Sequence, residues 1–373
     1  MGLHITEQQQ LEQLYHTIKN TTQRFLGYPV SKDFDYSELM PFLQFPLNNL
    51  GDPFSESTYQ VDSRTMEREV VNFFAKLFRA HEDQIWGYVT NGGSEGNLYG
   101  LYVARELYPK GMVYFSEATH YSIQKNVALL NIDYVIIKSL PNGEVDYNDL
   151  KKTIGFNRHR PAIVVANIGT TMTEAKDNTK KIKSILENMA IKKHYIHADA
   201  ALAGGFAPFV TPRPKFDFED GIDSISISGH KFIGSPMPSG VVIVKKDNRD
   251  RIARRIAYIG SSDATITGSR NGHTPLFLWY AIKKIGLEGF KKRTEHSLAV
   301  ASYTENKLNG LGIDAWRNPN AITIVFPAPS KKVINKWQLA TEKRQSHIIC
   351  MPNVPYTQID EFIADIESEM CVV

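Results

Sequence analysis

Lys231 stands in the run Ser224-Ile-Ser-Ile-Ser-Gly-His230-Lys231-Phe-Ile-Gly234, where an alternating strand pattern runs out into a glycine-containing turn. In a parallel sheet, ligands bind beyond the carboxyl ends of the strands. A lysine there, flanked by Ile225, Ile227, Phe232 and Ile233, is expected to be partly desolvated, which lowers an amine's pKa and makes it a Schiff-base nucleophile. A surface lysine following a strand fits this run equally well. Asp199 closes a second strand pattern, Tyr195-Ile-His197-Ala198-Asp199, and precedes Ala200, Ala201 and Gly204-Gly205. Small side chains leave room for a flat ligand against the backbone. A carboxylate aimed at a ring nitrogen is the partner required by the pyridine of pyridoxal phosphate (PLP). An Asp in this place also suits a helix cap.

Three further runs have the same placement. Thr90-Asn91-Gly92-Gly93-Ser94-Glu95-Gly96-Asn97 precedes a helical pattern, so its backbone N–H groups and the helix dipole could cradle a phosphate. It is neither a Walker A nor a GxGxxG pattern. His120, in Thr119-His120-Tyr121-Ser122, follows the strand pattern Met112–Phe115 and could stack on an aromatic ring or simply begin a helix. Asn167-Ile168-Gly169-Thr170-Thr171 ends an apolar strand pattern in two hydroxyls, which also suit a turn. Each signal is weak alone. Their order, each at a strand end or just beyond, is specific.

The elements that must position these residues follow from periodicity. Strand patterns fall at Met112–Phe115, Tyr134–Ile137, Ala162–Ile168, Tyr195–Ala198, Ser224–Ser228 and Gly240–Val244. Helical patterns fall at 64–79, 94–108, 121–131, 146–154, 177–190 and 201–206. That alternation predicts an α/β fold, a mostly parallel sheet covered by helices. Beyond about 275 the rhythm becomes helix 276–308, strands near Ile313–Trp316 and Ile322–Phe326, and helices near 331–339 and 357–370, a smaller α+β domain. Residues 4–25 read as a polar helix with Leu11, Leu14, Tyr15 and Ile18 at helical spacing.

Composition narrows the function classes. The 373 residues suit one large domain and a smaller one. The only cysteines are Cys350 and Cys371, with no CxxC pair, so zinc ribbons, iron–sulfur sites and disulfide scaffolds are excluded and no metal is expected. The 43 basic and 40 acidic residues give a net charge of +3, too small for a nucleic-acid footprint, and the run Lys291-Lys292-Arg293 reads as a solvated helix face. No apolar stretch is long enough to span a membrane and the N-terminus does not read as a secretory signal, while the two cysteines fit a reducing, cytoplasmic setting. Gly2 and Thr6 match a myristoylation pattern that often arises by chance.

With HADAALAGG, SGHKFIG, NGGSEGN and THYS together, the chain resembles the group II PLP-dependent amino-acid decarboxylases from Gly27-Tyr28-Pro29 to the final helix. Within that group it is most similar to the bacterial PLP-type histidine decarboxylases and the plant-type serine decarboxylases. The resemblance implies a fold type I PLP enzyme with a seven-stranded sheet, acting as a homodimer with sites at the subunit interface. It implies an N-terminal helix and arm over 1–55, a PLP-binding domain over 56–275 and a C-terminal domain over 276–373. By motif, Lys231 carries PLP as a Schiff base, Asp199 pairs with the pyridine nitrogen and His120 stacks on the ring. Gly93 and Ser94 bind the phosphate with Ser228 and His230, Thr171 and Ala201 lie near the ring, and Ser269 reaches a phosphate across the interface. Larger relatives use a loop tyrosine as proton donor. Tyr258 is the candidate here, in a segment that looks shorter.

The implied reaction is α-decarboxylation of an L-amino acid, with the carboxylate held perpendicular to the conjugated plane. Ala315-Trp316-Arg317-Asn318-Pro319-Asn320 and His197–Leu202 resemble the histidine enzymes. Asn48-Asn49-Leu50-Gly51-Asp52-Pro53-Phe54 and Trp337-Gln338-Leu339-Ala340 resemble the serine enzymes. The histidine enzymes usually carry a Cys-Gly-Asp-Trp version of the Asn48–Phe54 motif, which this chain lacks. L-Histidine is the leading substrate and L-serine, giving ethanolamine, the alternative. Another fold type I enzyme, such as an aminotransferase or lyase, and a catalytically silent homologue are further alternatives. An aminotransferase would anchor the substrate carboxylate with an arginine, for which Arg317 is the candidate.

Overall fold

The computed structural model describes residues 4–252, 254–256 and 261–370. Gly2, Tyr258 and Cys371 lie outside them. The chain forms two compact units, Val30–His296 and the pair Met1–Pro29 with Ser297–Val373. This division differs from three consecutive segments, because the N-terminal residues cluster with the C-terminal ones.

In chain order the elements are α1 (Ile5–Thr22), α2 (Arg64–Leu77), β1 (Ile85–Thr90), α3 (Gly93–Leu107), β2 (Met112–Ser116), α4 (Tyr121–Leu129), β3 (Tyr134–Ile137), α5 (Tyr147–Phe156), β4 (Ala162–Asn167), α6 (Thr179–Asn188), β5 (His194–Asp199), β6 (Ser224–Ser228), β7 (Gly240–Lys245), α7 (Lys246–Asp250), β8 (Arg254–Ile256), β9 (Ser261–Asp263), α8 (His273–Gly310), β10 (Thr323–Pro327), α9 (Lys331–Trp337), β11 (Ala340–Glu342), β12 (Gln345–Ile349) and α10 (Tyr356–Met370).

The larger unit holds a seven-stranded sheet in the order β1-β7-β6-β5-β4-β2-β3. β6, β5, β4, β2 and β3 run parallel, while β7 is antiparallel to both β6 and β1. α4, α5 and α6 join β2, β3, β4 and β5 in turn, and short 3₁₀ turns join β5 to β6. β4, β6 and β1 are buried along their whole length, and β3, at the edge, buries only Ile137. α2 turns Val70, Val71, Phe74 and Ala75 inward, the stripe expected of an amphipathic helix. Asp146 and Asn178 cap α5 and α6 by accepting amide N–H groups of the first turn, worth about 1 kcal/mol each.

Some elements differ from expectation. β1 has no counterpart among the expected strands, because Gly87 interrupts its propensity; a Cβ there would lie 2.3 Å from the Val242 carbonyl oxygen. Within residues 201–206 only a short 3₁₀ turn forms, at Ala203–Gly205, followed by another at Ala207–Phe209, since the Gly204-Gly205 pair disfavours a longer helix.

The smaller unit contains α1, α9, α10 and the antiparallel sheet β10-β12-β11. Trp337 is fully buried, packs edge-on against Phe362 and donates through Nε1 to Asp365. The strand expected at Ile313–Trp316 reduces to a bridge between Trp316 and Val325. α1 buries no residue, and Leu11, Leu14, Tyr15 and Ile18 are exposed. Among the described residues no helix is long and apolar enough to cross a membrane.

Candidate active site

β6 ends at Ser228, and the chain turns through Gly229–Ile233, where Lys231 leaves helical geometry (φ −87°, ψ −109°). β5 ends at Asp199, and His120 lies just beyond the end of β2. These strands are parallel members of one sheet, so their carboxyl ends open on the same edge. The three side chains act on one another electrostatically. Burial pushes the Lys231 amine below the ordinary lysine range while Asp199 pulls it back up. Burial also lowers His120; Asp199 opposes that shift, and Lys231 and Lys125 reinforce it.

Asp199 is buried and uses both oxygens. Oδ1 accepts the Ala201 amide at 3.1 Å, and Oδ2 accepts from Asn97 Nδ2 at 2.8 Å. One oxygen thus secures the turn after β5, and the capping and ligand-facing readings of this residue are compatible. His120 caps α4: its Nδ1 accepts the Ser122 amide at 3.3 Å and lies 2.8 Å from the Ser122 hydroxyl. With Nδ1 as an acceptor, the neutral ring carries its proton on Nε2.

The start of α3 is the anion-binding end. Gly92 precedes it at φ +144°, a backbone conformation that side-chain-bearing residues rarely adopt. A Cβ on Gly93 would lie 2.9 Å from both Ala201 Cβ and Ser228 Oγ, so these three expected cofactor residues meet at one point. Ser226 Oγ donates to the Gly93 carbonyl at 3.2 Å and Asn126 Nδ2 to the Ser94 carbonyl at 3.0 Å, fixing the first turn. His230 Cε1 lies 3.8 Å from where a Gly92 Cβ would be, and its Nδ1 is 2.9 Å from the Ser239 carbonyl oxygen. Burial lowers the His230 pKa against that hydrogen bond.

The remaining candidates are less concentrated. Thr170 is consumed by its turn, with Oγ1 accepting the Ala175 amide at 2.9 Å, whereas Thr171 is exposed. Ser269 is exposed and accepts from Asn48 Nδ2 at 3.2 Å. Tyr258 lies outside the described residues. Arg317 donates through Nε to Glu305 and through Nη1 to the Ala321 carbonyl. In the Asn48–Phe54 motif, Asp52 is buried, takes the Trp86 indole N–H at 2.9 Å and pairs with Arg249 at 3.1 Å.

Two residues of the quoted motifs were given no role by the sequence, Asn97 and His197. Asn97 Oδ1 lies 2.9 Å from His197 Nε2, and His197 Nδ1 lies 2.7 Å from Ser224 Oγ. A visible signal was available: Gly93, Gly96 and Gly100 recur at helical spacing in α3. Glycine costs about 1 kcal/mol per helical position, so three on one face imply close approach to a neighbour.

The donor set fits PLP. A desolvated amine suits its aldehyde, a buried carboxylate its pyridine nitrogen, and a glycine-lined helix start its phosphate. Gly93→Ala should crowd Ala201 and Ser228 and weaken PLP binding to the apoprotein roughly tenfold, about 1.4 kcal/mol. Titration of apoprotein by cofactor absorbance measures this, and an unchanged Kd would remove Gly93 from the cradle.

Comparison with known proteins points the same way. The pyridoxal-dependent decarboxylase conserved domain matches residues 58–314. Histidine decarboxylase of Mesorhizobium japonicum is 50% identical over 362 residues, covering 97% of this chain and 98% of that protein. Histidine decarboxylase of Morganella morganii is 47% identical over 371 residues, covering 98% of each. Among solved structures, L-methionine decarboxylase from Streptomyces sp. 590, in complex with L-methionine methyl ester, superposes with a TM-score of 0.90 at 25% identity, covering 98% of this chain and 95% of that one. The matched domain contains the strand ends at Ser116, Asp199 and Ser228, and the chain belongs to the pyridoxal-dependent decarboxylase family.

Proposed function

We propose that this protein decarboxylates L-histidine to histamine and CO2. The meeting of Lys231, Asp199 and His120 at one sheet edge carries the reaction class. Identity of 44–50% to histidine decarboxylases over nearly the whole chain supports the substrate.

When bound, PLP supplies an electron sink for the pair left on the α-carbon as the carboxylate departs. Lys231 Nζ holds the cofactor, its lowered pKa keeping more of the amine unprotonated than an ordinary lysine would. Asp199 would hold a proton at the pyridine nitrogen. His120, its Nδ1 edge spent on Ser122, would stack on the ring. The α3 amides at Gly93 and Ser94 would bind the phosphate with Ser228 and His230. Ala201 and Thr171 would lie near the ring, Ala201 by its lack of bulk. Poor solvation of the substrate carboxylate favours its departure as neutral CO2.

A homodimer is part of this reading. The exposed apolar side chains of α1, and separately Met40, Leu43 and Phe45, are surfaces that a second copy would cover. Ser269 would then contact the phosphate of the neighbouring copy.

A panel of carboxyl-labelled L-amino acids tests the substrate. Histidine should release CO2 with stoichiometric histamine, at least roughly 10²-fold faster than serine, a discrimination of about 3 kcal/mol. Release from serine and none from histidine would overturn the substrate and leave the reaction class standing.

A further inference from the structure

Asp199 does not stand alone behind the site. Asn97 Nδ2 donates to Asp199 Oδ2 at 2.8 Å, His197 Nε2 faces Asn97 Oδ1 at 2.9 Å, and Ser224 Oγ faces His197 Nδ1 at 2.7 Å. Asp199 is 7% exposed, Asn97 1%, and His197 and Ser224 are fully buried. No bulk water competes for these groups, so each donor must meet an acceptor.

That requirement gives the chain one direction. An ionised carboxylate only accepts, so Asn97 must turn its Nδ2 toward Asp199 and its Oδ1 toward His197. Oδ1 only accepts, so His197 Nε2 must carry the proton. In the neutral ring Nδ1 then only accepts, and the Ser224 hydroxyl donates to it. Burial holds His197 neutral, lowering its pKa to about 4. The opposite tautomer would turn the carboxamide over and set its oxygen against the carboxylate. In this direction both Asp199 oxygens accept, one from the Ala201 amide and one from Asn97 Nδ2.

The packing of α3 leaves room for this arrangement. A Cβ on Gly100 would lie 2.3 Å from His197 Nδ1 and 2.5 Å from its Cε1, and a Cβ on Gly96 would lie 2.2 Å from Ser226 Oγ. One helix thus presents its N-terminus to the phosphate and, one turn later, Asn97 to the carboxylate.

We propose that His197 is a positioning residue for the reaction, fixing Asn97 so that Asp199 stays ionised and oriented and the proton stays on the pyridine nitrogen. This rests on the assignment of Asp199 to the ring nitrogen. Of the alternatives, a histidine that merely fills the core would affect stability alone.

The test compares His197→Met, which removes the donor at similar size, with His197→Gln, whose amide can still donate to Asn97. Each is prepared as holoenzyme and checked for fold by circular dichroism. His197→Met should lower kcat roughly 10- to 100-fold with KM little changed. It should also move the 15N resonance of ring-labelled PLP toward the unprotonated nitrogen. His197→Gln should recover kcat to within roughly threefold of wild type, with a protonated ring nitrogen. Gly100→Ala, which displaces the imidazole without deleting a polar atom, should reproduce the His197→Met signature and carries the test if that variant does not fold. Wild-type kcat and a wild-type 15N position in folded His197→Met, or in Gly100→Ala where that carries the test, would overturn the proposal. Asp199→Ala separates the two failures. If it is severely impaired while His197→Met is silent, only the role of His197 falls. If it keeps wild-type activity, the assignment of Asp199 falls as well.

Discussion

Lys231→Ala is expected to fold, to bind PLP without covalent attachment, and to lose roughly 10³-fold or more of the wild-type turnover. The side chain sits on the turn after β6 rather than in a strand or helix of the core, so circular dichroism should match wild type. Its nucleophilicity depends on protonation. Burial depresses the amine pKa and Asp199 opposes the shift without cancelling it. Only the unprotonated amine captures an aldehyde, so uptake of PLP by wild-type apoprotein should rise with pH and level off below the pH an ordinary lysine would require. Stopped-flow absorbance measures both the rate and its pH dependence. Turnover within tenfold of wild type in Lys231→Ala would show that another amine does the work.

Asp199→Ala should be the next most damaging substitution, roughly 10²-fold or more in kcat, because on the proposed assignment it removes the carboxylate that would hold a proton on the ring nitrogen. It also strands two donors, the buried Asn97 Nδ2 and the half-buried Ala201 amide. Each costs about 1–3 kcal/mol when left unmatched, so thermal stability should fall alongside activity. Asp199→Glu retains the charge one methylene away and should lose far less activity than Asp199→Ala, as measured by steady-state kinetics on both variants. Equal losses from the two would mean that the carboxylate acts only as a structural acceptor.

Much of the candidate site's framework was legible because Asp199, His120 and Lys231 sit at or just beyond the ends of strand patterns. β3 and β6 have the expected bounds, and β2, β4, β5 and β7 differ by one residue at one or both ends. Their β-branched and apolar runs are long enough to outweigh local noise. Other strands were hidden by their composition. β1 carries an interior glycine and is buried by the helices that pack on it, α2, α3 and α7. β11 and the first half of β12 are polar, Ala340-Thr341-Glu342 and Gln345-Ser346-His347, and form through pairing, with each other and, for β12, with β10, rather than through propensity.

The hydrogen-bond series behind Asp199 was invisible for a different reason. Asn97 and His197 are 100 residues apart in the chain and meet only because α3 packs onto β5 and β6. Neither the rotation of a helix on a sheet nor the tautomer of a ring can be read from periodicity. The glycine spacing of α3 marks a close approach without saying to what. Thr170 and Thr171 make the same point on a smaller scale. Adjacent hydroxyls are equivalent in sequence, yet the turn after β4 buries one and exposes the other.

The most direct test of the site is to reduce the holoenzyme with sodium borohydride, digest it and locate the cofactor by mass spectrometry. PLP should be fixed on the peptide containing Lys231, in one equivalent per chain, with loss of the visible absorbance. Attachment at a different lysine, or a protein that takes up no PLP, would contradict it.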